Sequence, residues 1–278
     1  MLVGLVACSS IKEPVQPLQK QDADTMLNSG LDMESRGYYD TARGYFQSAQ
    51  TMYEGIAEVD GVLACLSGNC RLALRSKDDK AYAEHKEYMQ EIIDEIAPEY
   101  AYHMLLLSIF ELQQNKDYTT IVEIATYKPD DPLTAKLQIA TVKLQALAYL
   151  RPGTAKEAKE LESLAKSYRK QLRKKGSGDA ELLSSAWYAI AYYHFTRGAY
   201  PEALLFTDKV IELDYRYANQ DALGHGYWLK GQVEAKRNYK DEALACLRKA
   251  ELIFRAGNDD TALQGVAEEI YRLKGDTP

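Results

Sequence analysis

The chain has 278 residues, a formal net charge of −7 and 46% hydrophobic residues. That apolar content excludes a disordered chain and suffices for a packed core. The acidic balance argues against nucleic acid as the main partner, because phosphate binding needs clustered Lys and Arg. No run of 18 or more apolar residues offers a membrane-spanning helix. Pro is scarce at 8 residues, and long stretches carry Ala, Leu, Glu, Lys and Gln, which favour helix.

The chain opens on the apolar run Met1–Ala7, followed by Cys8, Ser9 and Ser10. Leu5-Val6-Ala7-Cys8 resembles the lipobox of bacterial lipoproteins, with a small residue before the cut and a thiol to alkylate. The resemblance implies cleavage before Cys8 and lipidation of its sulfur. Two or more acyl chains, at about 0.8 kcal/mol per buried methylene, anchor a protein stably. Ser9 at the second mature position resembles members sorted to the outer membrane. Only seven residues precede Cys8 and none is basic, whereas a complete signal has a basic start and a longer apolar stretch. The competing reading is a frayed apolar N-terminus. Residues 9–21 are polar, carry Pro14 and Pro17 and show no helical period, which predicts a flexible tether.

Residues 22–128 read as helical repeats. Gly30, Gly37, Tyr39, Ala42, Phe46 and Ala49 form one strong unit, and weaker copies lie at Asn69, Ala81 and Tyr88 and at Ser108, Thr120 and Tyr127. Cys65 and Cys70 fall five apart on a predicted helix, about 140° round its surface, so burial as small apolar residues is expected there and for Cys246. Residues 129–178 fit the period less well and read as a longer helical hairpin. Asp131 and Pro132 start one helix, which runs to Leu150. Thr154 and Glu157 form a capping-box pattern for a second, to Lys175. The second helix ends on Lys166, Arg169, Lys170, Arg173, Lys174 and Lys175. That basic run suits a helix C-terminus or, alternatively, an acidic or anionic-lipid contact.

Residues 179–278 hold the clearest unit, with Trp187, Ala191, Gly198, Tyr200, Ala203 and Val210, and Pro201 just inside the second helix. Another follows at Gly231, Ala243 and Ala250, and a last helix is predicted at about 259–273. These intervals resemble the tetratricopeptide repeat family. The resemblance implies an all-α fold: antiparallel helix hairpins stacked into a right-handed superhelix, or solenoid. Small residues sit where two helices approach, and large ones fill the space between repeats.

The family's groove positions, carried onto the last two repeats, are Tyr188, Tyr192, Phe195, His225, Trp228, Gln232 and Lys236. An aromatic strip of that kind suits a protein or peptide partner. Packing against the neighbouring helix is the alternative for Tyr192 and Phe195. The four histidines, His85, His103, His194 and His225, form no metal-binding spacing. Phosphate loops and nucleophile elbows are also missing, so neither catalytic residues, metal, cofactor nor small-molecule substrate is expected. The reading is therefore a protein-interaction scaffold or adaptor, lipid-anchored at Cys8 and facing the periplasm at the outer membrane, acting in envelope assembly. A soluble cytoplasmic sensor or regulatory module, binding a peptide or small effector, is the alternative.

Overall fold

The computed structural model describes residues 17–150, 155–175 and 179–275. Among them every regular element is helical: thirteen α-helices and one 3₁₀ turn. The all-α expectation is met. Cys8 and its apolar run, residues 9–16, Thr154 and the Gly176–Gly178 stop lie outside the described residues. The chain divides into two compact units, Met1–Leu107 and Ser108–Pro278, and the division falls within one helix, α5 (Tyr102–Gln114).

The first unit holds α1 (Leu18–Ser35), α2 (Tyr39–Glu54), α3 (Val59–Ser76) and α4 (Asp79–Glu95), then the 3₁₀ turn Pro98–Tyr100. Each helix packs on the next, and α3 also touches α1. The predicted tether is too long, because residues 18–21 belong to α1. Pro17 precedes the helix in an extended conformation. Gln19 Nε2 donates to the Met52 carbonyl at 2.9 Å, and Lys20 pairs with Glu58 at 2.8 Å. These polar residues fasten a helix through hydrogen bonds rather than through an apolar stripe, so no period betrays it.

Phe46 is fully buried where α2 meets α1 and α3. A Cβ on Gly30 would lie 2.6 Å from its ring, and one on Gly68 2.7 Å away. Two glycines therefore leave room for one aromatic ring. Cys65 and Cys70 are buried as expected, and burial pushes the Cys65 thiol up to about 12. That keeps it unreactive.

The second unit continues from α5 with α6 (Tyr118–Ile124), α7 (Leu133–Leu150), α8 (Ala155–Lys175) and α9 (Ala180–Thr196). It ends with α10 (Tyr200–Tyr217), α11 (Gln220–Lys236), α12 (Lys240–Gly257) and α13 (Asp260–Lys274). Successive helices from α6 to α13 pack pairwise, while α9 also contacts α7 and α11. The alternate helices α7, α9 and α11 are thus neighbours. Gly231 repeats the role of Gly30: its Cβ would meet Leu247 at 2.7 Å, again sixteen residues later.

Two expectations fail here. The weak repeat ending at Tyr127 has a second helix of only seven residues, and Tyr127 lies beyond it. Pro129 disfavours helix at Lys128 and so limits any extension. Asp131 does not cap α7; its carboxylate accepts from the Lys128 N–H at 2.6 Å and closes the preceding turn.

Left-handed residues punctuate both units, most of them at a common interval. They stand at Gly37, Ala57 and Lys77 in the first unit, and at Lys116, Gly198, Ala218, Asn238, Asn258 and Gly275 in the second. Steps of twenty residues run from Gly37 to Lys77 and from Gly198 to Asn258, half of the forty-residue interval expected from the sequence, while Lys116 and Gly275 fall outside that spacing. Ala218, at φ 55°, is exposed and carries a Cβ that this conformation disfavours. Ala218→Gly is expected to stabilise the chain by about 1 kcal/mol, read as a higher urea midpoint at unchanged slope.

Asp214 is a buried cost in the second unit. Its carboxylate accepts from Ser184 Oγ at 2.7 Å and from Asn219 Nδ2 at 3.4 Å. Burial outweighs both hydrogen bonds and pushes the carboxyl up to about 6. The folded form therefore binds a proton more tightly than the unfolded chain does. Stability falls as pH rises from about 4 to about 6 and stays lower above that window. Asp214→Asn is expected to stabilise by about 2 kcal/mol at pH near 7.5 and by nothing measurable near pH 4. Thermal melts of both proteins at the two pH values check it.

Candidate functional site

A pocket of about 360 Å³ opens in the second unit, within the size range of ligand clefts. Alternate helices build most of it. From α7 come Val142, Gln145, Ala146 and Tyr149, spaced three, four and seven apart, so that one helix face supplies them. From α9 come Tyr188 and Tyr192, one turn apart. From α11 come His225, Trp228 and Gln232, again on one face. Gln113 of α5 and Tyr118 and Ile121 of α6 complete the wall. The lining contains no Asp, Glu, Lys or Arg.

The rings are ordered by one another. Tyr118 stacks on Tyr149 with centroids 4.4 Å apart and planes 11° apart. Tyr149 meets Tyr192 at 5.9 Å, and the Tyr188 and Tyr192 planes lie within 6° at 6.4 Å. His225 lies beside Trp228 at 6.0 Å, and Phe254 closes on both edge-first. The Trp228 ring fits because Gly265 of α13 has no side chain: a Cβ there would sit 2.7 Å from the indole.

The polar groups come from Tyr, Gln, His and Trp side chains. Burial pushes the hydroxyls of Tyr188 and Tyr149 above the ordinary tyrosine value, with neighbouring tyrosines adding to it. Both remain protonated donors at neutral pH. Gln232 Nε2 donates to Glu269 Oε1 of α13 at 2.6 Å, which orients its carboxamide. Trp228 Nε1 is buried and has no acceptor among the described residues. A buried donor left so costs about 1–3 kcal/mol.

Five of the seven residues singled out from the sequence line this pocket: Tyr188, Tyr192, His225, Trp228 and Gln232. Phe195 lies further along α9, between Tyr192 at 6.3 Å and Tyr200 at 6.4 Å, and serves the packing. Lys236 is exposed in the last turn of α11, outside the lining. The α5, α6 and α7 contributions were not foreseen. Helix α7 carries Leu, Ile, Val and Ala on every side, so its pattern marks no groove face; Gln145 and Tyr149 in that apolar run were the available signal.

Other polar clusters serve packing. In the first unit Asp60 accepts from the Tyr102 hydroxyl and pairs with His103 Nε2 at 2.8 Å. Burial raises the Asp60 carboxyl, but these bonds outweigh it and hold it below the ordinary value. His194 stacks on Phe206 at 6.0 Å, and burial lowers its proton affinity. Arg169 of the basic run lies over the Trp187 ring at 5.2 Å. In comparisons with known proteins, no family model and no curated protein matches this chain.

Proposed function

We propose that this chain is an interaction protein built of tetratricopeptide-like hairpins, and that it holds a protein partner in the pocket between α7, α9 and α11. The reading of the fold rests on the twenty-residue recurrence of left-handed turns and on the Gly30–Phe46 and Gly231–Leu247 pairs at one separation. Stacked hairpins of that kind form a superhelix whose alternate helices line one face. The observation that carries the function is convergence: five positions implied by the family resemblance meet in one aromatic pocket.

The proposed setting is the bacterial envelope, with lipid on Cys8 holding the chain at the outer membrane and facing the periplasm. The sequence at Leu5–Cys8 supports it. The chain would act as an adaptor in envelope assembly, without chemistry of its own.

Affinity capture from detergent extracts of the source cell tests the partner claim. The wild type is compared with a Gln145→Ala/Tyr149→Ala/Tyr192→Ala variant. A protein recovered by the first and lost by the second is the expected result; identical recoveries would remove the pocket from the binding role. Mass spectrometry of the native protein tests the setting. An acylated Cys8 at the mature N-terminus is expected, whereas retained Met1 without lipid would move the adaptor to the cytoplasm.

A further inference from the structure

Helix α8 carries the basic run, which the pocket leaves unused. Its exposed residues Lys156, Lys159, Ser163, Lys166, Lys170 and Arg173 follow one another at steps of three and four. At 100° per residue they fall within an arc of about 100°, and at 1.5 Å per residue they extend over about 25 Å. The opposite face, with Ala158, Leu161, Ala165 and Tyr168, is buried in the core of the second unit. The stripe is therefore straight, cationic and turned outward.

Glu157, Glu160 and Glu162 flank its first half, and Glu162 pairs with Lys166 at 2.8 Å. From Ser163 to Lys175 the sequence holds no acidic residue. Lys159, Lys170 and Arg173 make no ion pair among the described residues. Lys209 of α10 adds to the same patch. Burial chiefly, then the charges of Lys166 and Arg169, lower its proton affinity against the opposing pull of Glu162. Cations of two helices thus crowd together in a chain whose net charge is −7. The helix dipole does not account for them, because its pull falls off within the last turn, and Lys159 and Lys166 stand well before it.

We infer that this stripe is a docking surface for an anionic phospholipid bilayer, where it meets the headgroup phosphates. Clusters of roughly four to eight basic residues on an amphipathic helix suit such a surface. A protein interface has an apolar centre, whereas no large apolar side chain is exposed among the described residues of α8. Four of the five cations in the stripe are Lys. These are flexible point charges, not the planar forks that grip a single phosphate or carboxylate. A straight stripe also meets a flat surface along its whole length. The inference goes beyond the partner pocket and holds with or without lipid on Cys8; acylation would add a second, separate hold.

The test is vesicle flotation of the full chain carrying Cys8→Ala, which excludes acylation. Binding is expected to vesicles of phosphatidylglycerol and phosphatidylcholine in equal parts and not to pure phosphatidylcholine, and it is expected to be lost at high salt. Adding Lys159→Gln, Lys170→Gln and Arg173→Gln removes three cations without stranding a carboxylate. It is expected to weaken binding about a hundredfold, some fivefold for each cation. Lys240→Gln, Arg248→Gln and Lys274→Gln, at exposed positions of α12 and α13, make the same change in net charge and are expected to leave binding as it was. Circular dichroism verifies the helix content of each variant. The inference is overturned if the anionic vesicles do not bind, if the two triple variants bind them alike, or if a DNA duplex binds the stripe more tightly than the vesicles do. A protein captured through Lys159, Lys170 and Arg173 without vesicle binding would assign the stripe to an acidic partner and also overturn it. The pocket is tested through other residues, so either reading can fail alone.

Discussion

Phe46→Ala is expected to cost the first unit about 4 kcal/mol, the upper range for removing a buried aromatic ring. The ring is wholly enclosed and belongs to three helices at once, α2 by its backbone and α1 and α3 by contact. The wall cannot collapse onto the hole with side chains, because Gly30 and Gly68 have none. A second substitution separates this account from simple loss of apolar surface. Gly30→Ala in the wild type forces a methyl group to 2.6 Å from the ring. It is expected to destabilise by about 1–3 kcal/mol. In the Phe46→Ala background the same change enters empty space and gains helix propensity, so it is expected to stabilise by about 1 kcal/mol. Urea unfolding of the four proteins measures the cycle. An equal effect of Gly30→Ala in both backgrounds would contradict the packing described here.

Arg71→Met is expected to cost about 3 kcal/mol by stranding Glu34 in the core of the first unit. The Arg71 guanidinium grips that carboxylate with Nη2 at 2.6 Å and Nε at 3.0 Å. Glu34 is almost fully enclosed, so water cannot replace the fork. Arg75, at 3.8 Å, remains as a weaker counter-charge and keeps the cost from being larger. Adding Glu34→Leu removes the stranded charge. The double variant is expected to regain most of the loss, because an apolar pair of similar volume is about as stable as a buried ion pair. Chemical denaturation of the single and double variants decides it.

Periodicity carried the fold where helices have distinct faces. The strong repeats at Gly30–Ala49 and Trp187–Val210 were legible because small residues mark close helix contacts, and those contacts are present at Ala42, Ala49, Ala191, Ala203 and Val210. The final helix was legible through Asp259, which accepts from the Ala262 N–H at 2.9 Å and starts α13. The intermediate turns were harder. Lys77, Lys116 and Ala218 adopt the left-handed conformation that Gly or Asn would have advertised. The start of α1 was hidden because Gln19 and Lys20 attach it by polar contacts.

The candidate site was half legible for a related reason. The α9 and α11 residues lie in helices where the resemblance to the repeat family offered expected groove positions, and five of those seven line the pocket. Helix α7 is apolar all round, and the interval from Ile124 to Leu133 departs from the hairpin period. No register could be carried across it, and Gln145 and Tyr149 stayed invisible as site residues. Their role follows only from the neighbourhood of α7 and α9, a contact between segments about forty residues apart in the chain.

The most direct test of the central claim is photo-cross-linking in the source cell, with a benzophenone amino acid replacing Tyr192 in the pocket or, separately, Tyr217 on the exposed end of α10. A discrete cross-linked protein from position 192, absent from position 217 and abolished by Gln145→Ala with Tyr149→Ala, is the predicted result. Equal cross-linking from both positions, or a product from 192 that survives the two substitutions, would contradict the claim that this pocket receives the partner.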